Sequence, residues 1–141
     1  MFKKIRELWG YLNKPMPLDE FEDYDEYWIN RERHCLAPSI HRAEIISEYI
    51  EPNSTILDVG CGDGTLIDYI SKNNSPKEII GIDVSKKAIE YTKRQGYKAY
   101  EIDTTSSSFE AFIKENRFDY IVITEVLEHL QEPEKVMFNI R

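Results

Sequence analysis

The chain has 141 residues, with 18 Lys+Arg against 26 Asp+Glu and a formal net charge of −8. That length suits one domain with a real core, and 41% hydrophobic and 12% aromatic residues exclude a disordered polar chain. The longest apolar run, Tyr120–Ile123, falls far short of the roughly twenty residues of a membrane span, and two cysteines, Cys35 and Cys61, exclude a disulfide scaffold or a four-cysteine zinc site. The acidic balance argues against a nucleic-acid partner, which selects for basic patches. The basic start, Met1 to Arg6, is followed by no apolar stretch of signal-peptide type, which predicts a cytoplasmic protein.

In the N-terminal part, Phe2, Ile5, Leu8, Trp9 and Leu12 recur at helical spacing and predict an amphipathic helix, stopped by Pro15 and Pro17. Residues 19–28 then interleave six acids with aromatics. Phe21, Tyr24, Tyr27 and Trp28 share one helical face, and the acids share the other. This reads as a docked helix with a solvated acidic face, or more sharply as a lid whose aromatic stripe closes over a ligand. His34 and His41 read as solvated or packed histidines. Residues 1–37 form, on this reading, a helical lid segment ahead of a domain at 38–141.

From Pro38 the pattern becomes regular. A helix carrying Ile40, Ala43, Ile46 and Ile50 stops before Pro52. Strands at Thr55–Val59, Glu78–Ile82, Lys98–Ile102 and Phe118–Ile123 alternate with helices at 64–73, 86–95 and 107–115. Ser85 is placed to cap the second of these helices and Gly96 to end it. The fourth strand is almost wholly apolar, as a strand covered on both faces should be. A helical turn at 125–130 and a last helix with Pro133 near its start complete the chain. This alternation predicts an α/β fold, a doubly wound parallel sheet.

The most informative stretch is Asp58-Val59-Gly60-Cys61-Gly62-Asp63-Gly64. A buried strand runs into a glycine-rich turn and then a helix, whose N-terminus would favour something anionic. Dinucleotide sites instead use G-x-G-x-x-G to seat a pyrophosphate, beside which the Asp58 carboxylate would be costly. Beside an ammonium it is favourable. A ligand that carries an ammonium and a carboxylate together suits the site, and a nicotinamide dinucleotide is a distant second.

The D-x-G-x-G-x-G stretch resembles motif I of the class I S-adenosylmethionine-dependent methyltransferases, in wording nearest to the methyltransferase type 11/12 or methionine-biosynthesis-associated branches. Gly81-Ile82-Asp83-Val84-Ser85, Glu101-Ile102-Asp103-Thr104 and Phe118 to Glu125 resemble the ends of that family's second, third and fourth strands, in order. The resemblance implies a Rossmann-like three-layer αβα sandwich with strand order 3-2-1-4. It implies that Asp83, 19 residues beyond Gly64, accepts both ribose hydroxyls, that Val84 packs on adenine, and that Asp103 accepts from the adenine amino group. Asp58, Gly60, Cys61, Gly62, Gly64, Thr104, Thr124 and Glu125 complete the implied cofactor site. Asp58 could instead cap the glycine turn, and Asp83 and Asp103 could cap the helices that begin just after them.

Glu125, Glu128 and His129 stand at i, i+3 and i+4. The segment is similar to an E-x-x-E-H stretch that holds a metal in small-RNA 2′-O-methyltransferases, with relatives in the ubiquinone-pathway enzymes. The preferred reading has no metal: Glu125 positions the methionine part and His129 caps or packs. Should the acceptor need to lose a proton, His129 is the first candidate base and Glu125 the second. The expected activity is methyl transfer to a small-molecule acceptor, with S-adenosylhomocysteine as product. The alternative is a cofactor-binding module without turnover. The family's sheet usually has seven strands, so four readable strands imply a C-terminally incomplete domain. Its fourth strand would lie at an edge and invite homo-oligomer formation by edge pairing.

Overall fold

The structure is a computed structural model that describes residues 23–33 and 40–140. The predicted helix at residues 2–12, together with His34 and Cys35, lies outside the described residues. Helices α1 (Tyr24–Arg33) and α2 (Ile40–Ser47) precede strand β1 (Thr55–Val59), helix α3 (Thr65–Asn74) and strand β2 (Glu78–Asp83). Helix α4 (Lys86–Arg94), strand β3 (Lys98–Glu101), helix α5 (Ser107–Glu115), strand β4 (Tyr120–Ile123), a 3-10 turn (Leu127–His129) and helix α6 (Pro133–Asn139) come next. The four strands form one parallel sheet in the order β3-β2-β1-β4, as expected.

Alternation along the strands splits the core into two layers. Ile56 and Ile79 face one side with Ile67, Ile70 and Ile89 of α3 and α4. Leu57, Val59, Ile80 and Ile82 face the other with Phe109 of α5 and Val136 of α6. Both faces of the central strands are thus dry, which is why β1 and β2 read as nearly continuous apolar runs.

Strand β4 departs from its expected form. It is shorter than predicted and all four of its residues are only half-buried, because it has β1 on one side and forms the sheet edge on the other. Its start is fixed by Asp119, whose Oδ2 accepts from the Thr55 amide at 2.7 Å and the Thr55 hydroxyl at 2.8 Å. These bonds hold the Asp119 carboxyl below its usual range.

The caps match the sequence reading. Ser85 Oγ accepts from the Ala88 amide at 3.1 Å, and Gly96 comes just after α4 with φ of +90°. Asn74 Nδ2, at the end of α3, donates to the carbonyls of Ser47 and Ile50, both at 2.8 Å, tying down the end of α2 and the turn that follows it. Among the described residues no helix is long and apolar enough to cross a membrane.

Candidate functional site

A cavity of about 1010 Å³ opens at the carboxyl ends of the strands, roofed by α1 and walled by α2 and the segment after β4. This is where open parallel sheets place ligands. Of the residues the sequence singled out, Asp58, Gly60, Cys61, Gly62, Asp83, Val84, Asp103, Thr104, Thr124, Glu125, Glu128 and His129 line it. Gly64 does not.

The glycine turn is held from below. Gly60 and Cys61 donate to the Ile82 carbonyl at 2.8 and 3.0 Å, and Gly62 donates to Asp83 Oδ2 at 3.0 Å. The anion expected at the N-terminus of α3 is supplied by the chain itself: Asp63 Oδ1 accepts from the Thr65 amide at 3.1 Å and its hydroxyl at 2.6 Å. Gly60 has φ of +77°, and a Cβ there would lie 2.2 Å from Val126 Cγ2. The close approach, as well as the backbone conformation, requires glycine.

Asp58 does not cap the turn. It is 2% exposed at the end of β1, and its Oδ2 has no hydrogen-bond partner among the described residues. Burial, and then the nearby Asp83 carboxylate, push its pKa up to about 7. An orphaned carboxylate oxygen of this kind is costly unless a ligand supplies the missing donor.

Asp83 is buried too, and burial pushes its carboxyl upward against the opposing effect of its backbone hydrogen bonds. Besides Gly62, the Ser85 amide donates to its Oδ1 at 2.8 Å. It therefore pins the turn that leads into α4, whose N-cap is Ser85 itself, and it also lines the cavity. Val84, the next residue, is 46% exposed. Asp103 likewise does local work: its Oδ1 accepts from the Thr105 amide at 2.8 Å and hydroxyl at 2.7 Å.

Cys61 is a packing residue. A Cβ on Gly81 would lie 2.7 Å from its sulfur, so the neighbouring strand gives it room by carrying glycine. Burial, with Asp58 and Asp83 nearby, raises the thiol well above its ordinary value, which keeps it protonated and poorly nucleophilic.

The helical face expected to unite Glu125, Glu128 and His129 is not formed. Only Leu127–His129 is helical, as a single 3-10 turn, and Glu125 precedes it with φ of +54°. Spacing of i, i+3 and i+4 aligns side chains on an α-helix, not across a left-handed residue and a tighter turn. Among the described residues no group of three or more His, Cys, Asp and Glu is placed to hold a metal ion.

Three residues that no motif marked also shape the cavity. Arg42 of α2 forms an ion pair with Glu125 across it. Trp28 lies directly over Gly62, and Tyr24, one turn before it on α1, has its phenol pKa pushed upward by burial and then by Asp83. The aromatic stripe of residues 21–28 was the usable signal for the latter two. Arg42, at an unremarkable position of a helix, gave none.

A parallel 3-2-1-4 sheet with an acidic, glycine-turned cavity at its carboxyl end defines a Rossmann-like domain of the methyltransferase type. Residues 57–141 match the family described as "Methyltransferase domain", and the chain belongs to that family. The ubiquinone biosynthesis O-methyltransferase of Coxiella burnetii is 28% identical over 134 residues, covering 86% of this chain and 54% of the relative. The crystal structure of a TehB-like SAM-dependent methyltransferase from Corynebacterium glutamicum is 26% identical, with a TM-score of 0.63, over 90% of this chain and 66% of that one. The plantazolicin methyltransferase BpumL, solved in complex with SAH, is also 26% identical, with a TM-score of 0.61, over 97% of this chain and 56% of that one. The chain spans about half the length, or less, of the curated relatives it matches.

Proposed function

We propose that this domain binds S-adenosylmethionine in the cavity and directs its methyl group to a small-molecule acceptor. The observation that carries the reading is the buried Asp58 Oδ2, without a partner among the described residues, beside a glycine turn that leaves no room for a side chain at Gly60. The donor set fits the cofactor part by part. Asp58 would take the ammonium, the Arg42 guanidinium the carboxylate, and Asp83 the two ribose hydroxyls. Val84 would pack on the adenine, and Asp103, with Thr104, would meet its amino edge. The backbone of Gly60, Cys61 and Gly62 would shape the floor, with Thr124 and Glu125 at the methyl end. The relatives named above support both the cofactor and a small-molecule acceptor.

When bound, the cofactor supplies a sulfonium-activated methyl that needs no further activation by the protein. The chain's own residues then have to orient an acceptor in line with that methyl and exclude water. The roof formed by Tyr24 and Trp28 serves exclusion. His129, at the end of the 3-10 turn and lining the cavity, is the group we assign to remove a proton where the acceptor carries one. The acidic surroundings suit no nucleotide pyrophosphate, since Asp58, Asp63 and Asp83 all lie at the turn.

Isothermal titration tests the reading: S-adenosylhomocysteine should bind with one site per chain and NAD should not. NAD binding without S-adenosylhomocysteine binding would overturn it. A second reading is a cofactor-binding module without turnover. Binding without methyl transfer to any member of a small-molecule acceptor panel would favour it.

A further inference from the structure

The Arg42–Glu125 ion pair joins two parts of the cavity wall that are 83 residues apart in sequence, α2 and the segment after β4. Both side chains remain substantially exposed, at 41% and 66%, so neither is locked by packing. Glu125 holds φ of +54°, a left-handed conformation that is strained for a non-glycine residue. Strained residues of this kind cluster at ligand clamps and switch regions. Among the described residues, the other lysine or arginine lining the cavity, Lys135, is paired with Glu132 three residues before it.

We propose that Glu125 is an internal stand-in for a ligand carboxylate: a zwitterionic cofactor places its own carboxylate on Arg42 and displaces Glu125 from it. The inference rests on the cofactor reading above and deepens it. Three features of the cavity carry it. The ligand that Asp58 calls for bears a carboxylate next to its ammonium. The arginine suited to that carboxylate is already occupied by a carboxylate of the chain. The occupant sits at an exposed, strained position from which it can leave. The chain therefore starts with its arginine neutralised, and Glu125 becomes available at the cavity wall only once the cofactor has arrived.

The test compares two probes that share an adenosine and a thioether, S-adenosylhomocysteine, which carries the amino-acid carboxylate, and 5′-methylthioadenosine, which does not. Both are titrated calorimetrically into the full chain and into Glu125→Ala and Glu125→Gly, the glycine variant suiting the left-handed backbone. Removing the competitor should strengthen S-adenosylhomocysteine binding by about two- to fivefold, the range of an exposed ion pair, and leave 5′-methylthioadenosine unchanged. Arg42→Ala should abolish that difference between Glu125 variants. Weaker or unchanged S-adenosylhomocysteine binding by both Glu125 variants, or an equal gain for the two probes, overturns the exchange while leaving the cofactor reading standing. Absence of S-adenosylhomocysteine binding by the unaltered chain overturns the cofactor reading and the exchange with it.

Discussion

The indole of Trp28 lies so close over Gly62 that a Cβ on the glycine would stand 2.5 Å from two of its ring carbons. This contact seats α1 on the turn after β1, and it makes glycine at 62 a requirement of that packing as well as of the turn, where φ is +54°. Gly62→Ala should therefore cost about 1–3 kcal/mol, from backbone strain together with the displaced ring. Trp28→Ala in the same chain relieves the clash, so the double variant should lose less than the sum of the single losses. Urea unfolding of the four chains measures the coupling; strict additivity would show that Trp28 does not rest on Gly62.

Asp25 makes the second attachment of α1. Its Oδ1 accepts from the Ser85 hydroxyl at 2.5 Å and the Lys87 amide at 3.0 Å, the latter an otherwise open donor in the first turn of α4. Asp25→Ala should cost about 1 kcal/mol, the usual worth of such a cap. The Ser85 hydroxyl, and next the Lys87 amide, hold this carboxyl below its ordinary value of 3.8. The contribution is accordingly present above that value and lost as the pH falls below it. The stability difference between the two chains should shrink on acidification; a difference that persists in acid would point to packing rather than to the cap.

These contacts show which parts of the site can be read from sequence. Asp58 was marked by a buried strand running into a glycine turn and Asp83 by the resemblance of its strand end to the family's, and both line the cavity. Asp25 was not, since an acid on the polar side of an amphipathic helix reads as solvated until a partner 60 residues away is known. Arg42 failed for the same reason. The common helical face of Glu125, Glu128 and His129 was misread because residue spacing alone cannot separate an α-turn from a left-handed residue and a succeeding 3-10 turn. The β4 edge was expected from topology, and its half-burial agrees with that position. Long-range pairing and backbone handedness, not composition, account for the residues that were missed.

His129 is assigned as the proton-removing group, and its backbone amide donates to the Val126 carbonyl at 3.0 Å, which is independent of the side chain. Circular dichroism and S-adenosylhomocysteine titration of His129→Ala give the folded, cofactor-binding fraction to which its turnover is normalised. With a hydroxyl-bearing acceptor, its turnover should fall by about 10²-fold or more. Turnover measured by S-adenosylhomocysteine formation checks this, and an unchanged rate would remove His129 from the mechanism.

Asp58 gives the prediction with the clearest sign. Its carboxyl is raised from 3.8 to about 7, first by burial and then by Asp83. Between those two values the folded chain holds a proton that the unfolded chain has released. Its contribution to stability therefore falls as pH rises through that interval, and it is flat above about 7. Ligand binding runs the opposite way. An ammonium pairs with the ionised form, so S-adenosylhomocysteine affinity should rise about tenfold per pH unit below 7 and level off above it. Titration at about pH 6 in buffers of different ionisation enthalpy should show close to one proton released, and at about pH 8 close to none. Asp58→Asn should erase this pH dependence and weaken binding by about tenfold or more, the worth of a hydrogen bond to a charged group. Because Asp83 is also raised by burial, comparison with the Asp58→Asn variant isolates the first carboxylate from the second. A pH-independent affinity in the unaltered chain would mean that Asp58 does not meet the ammonium.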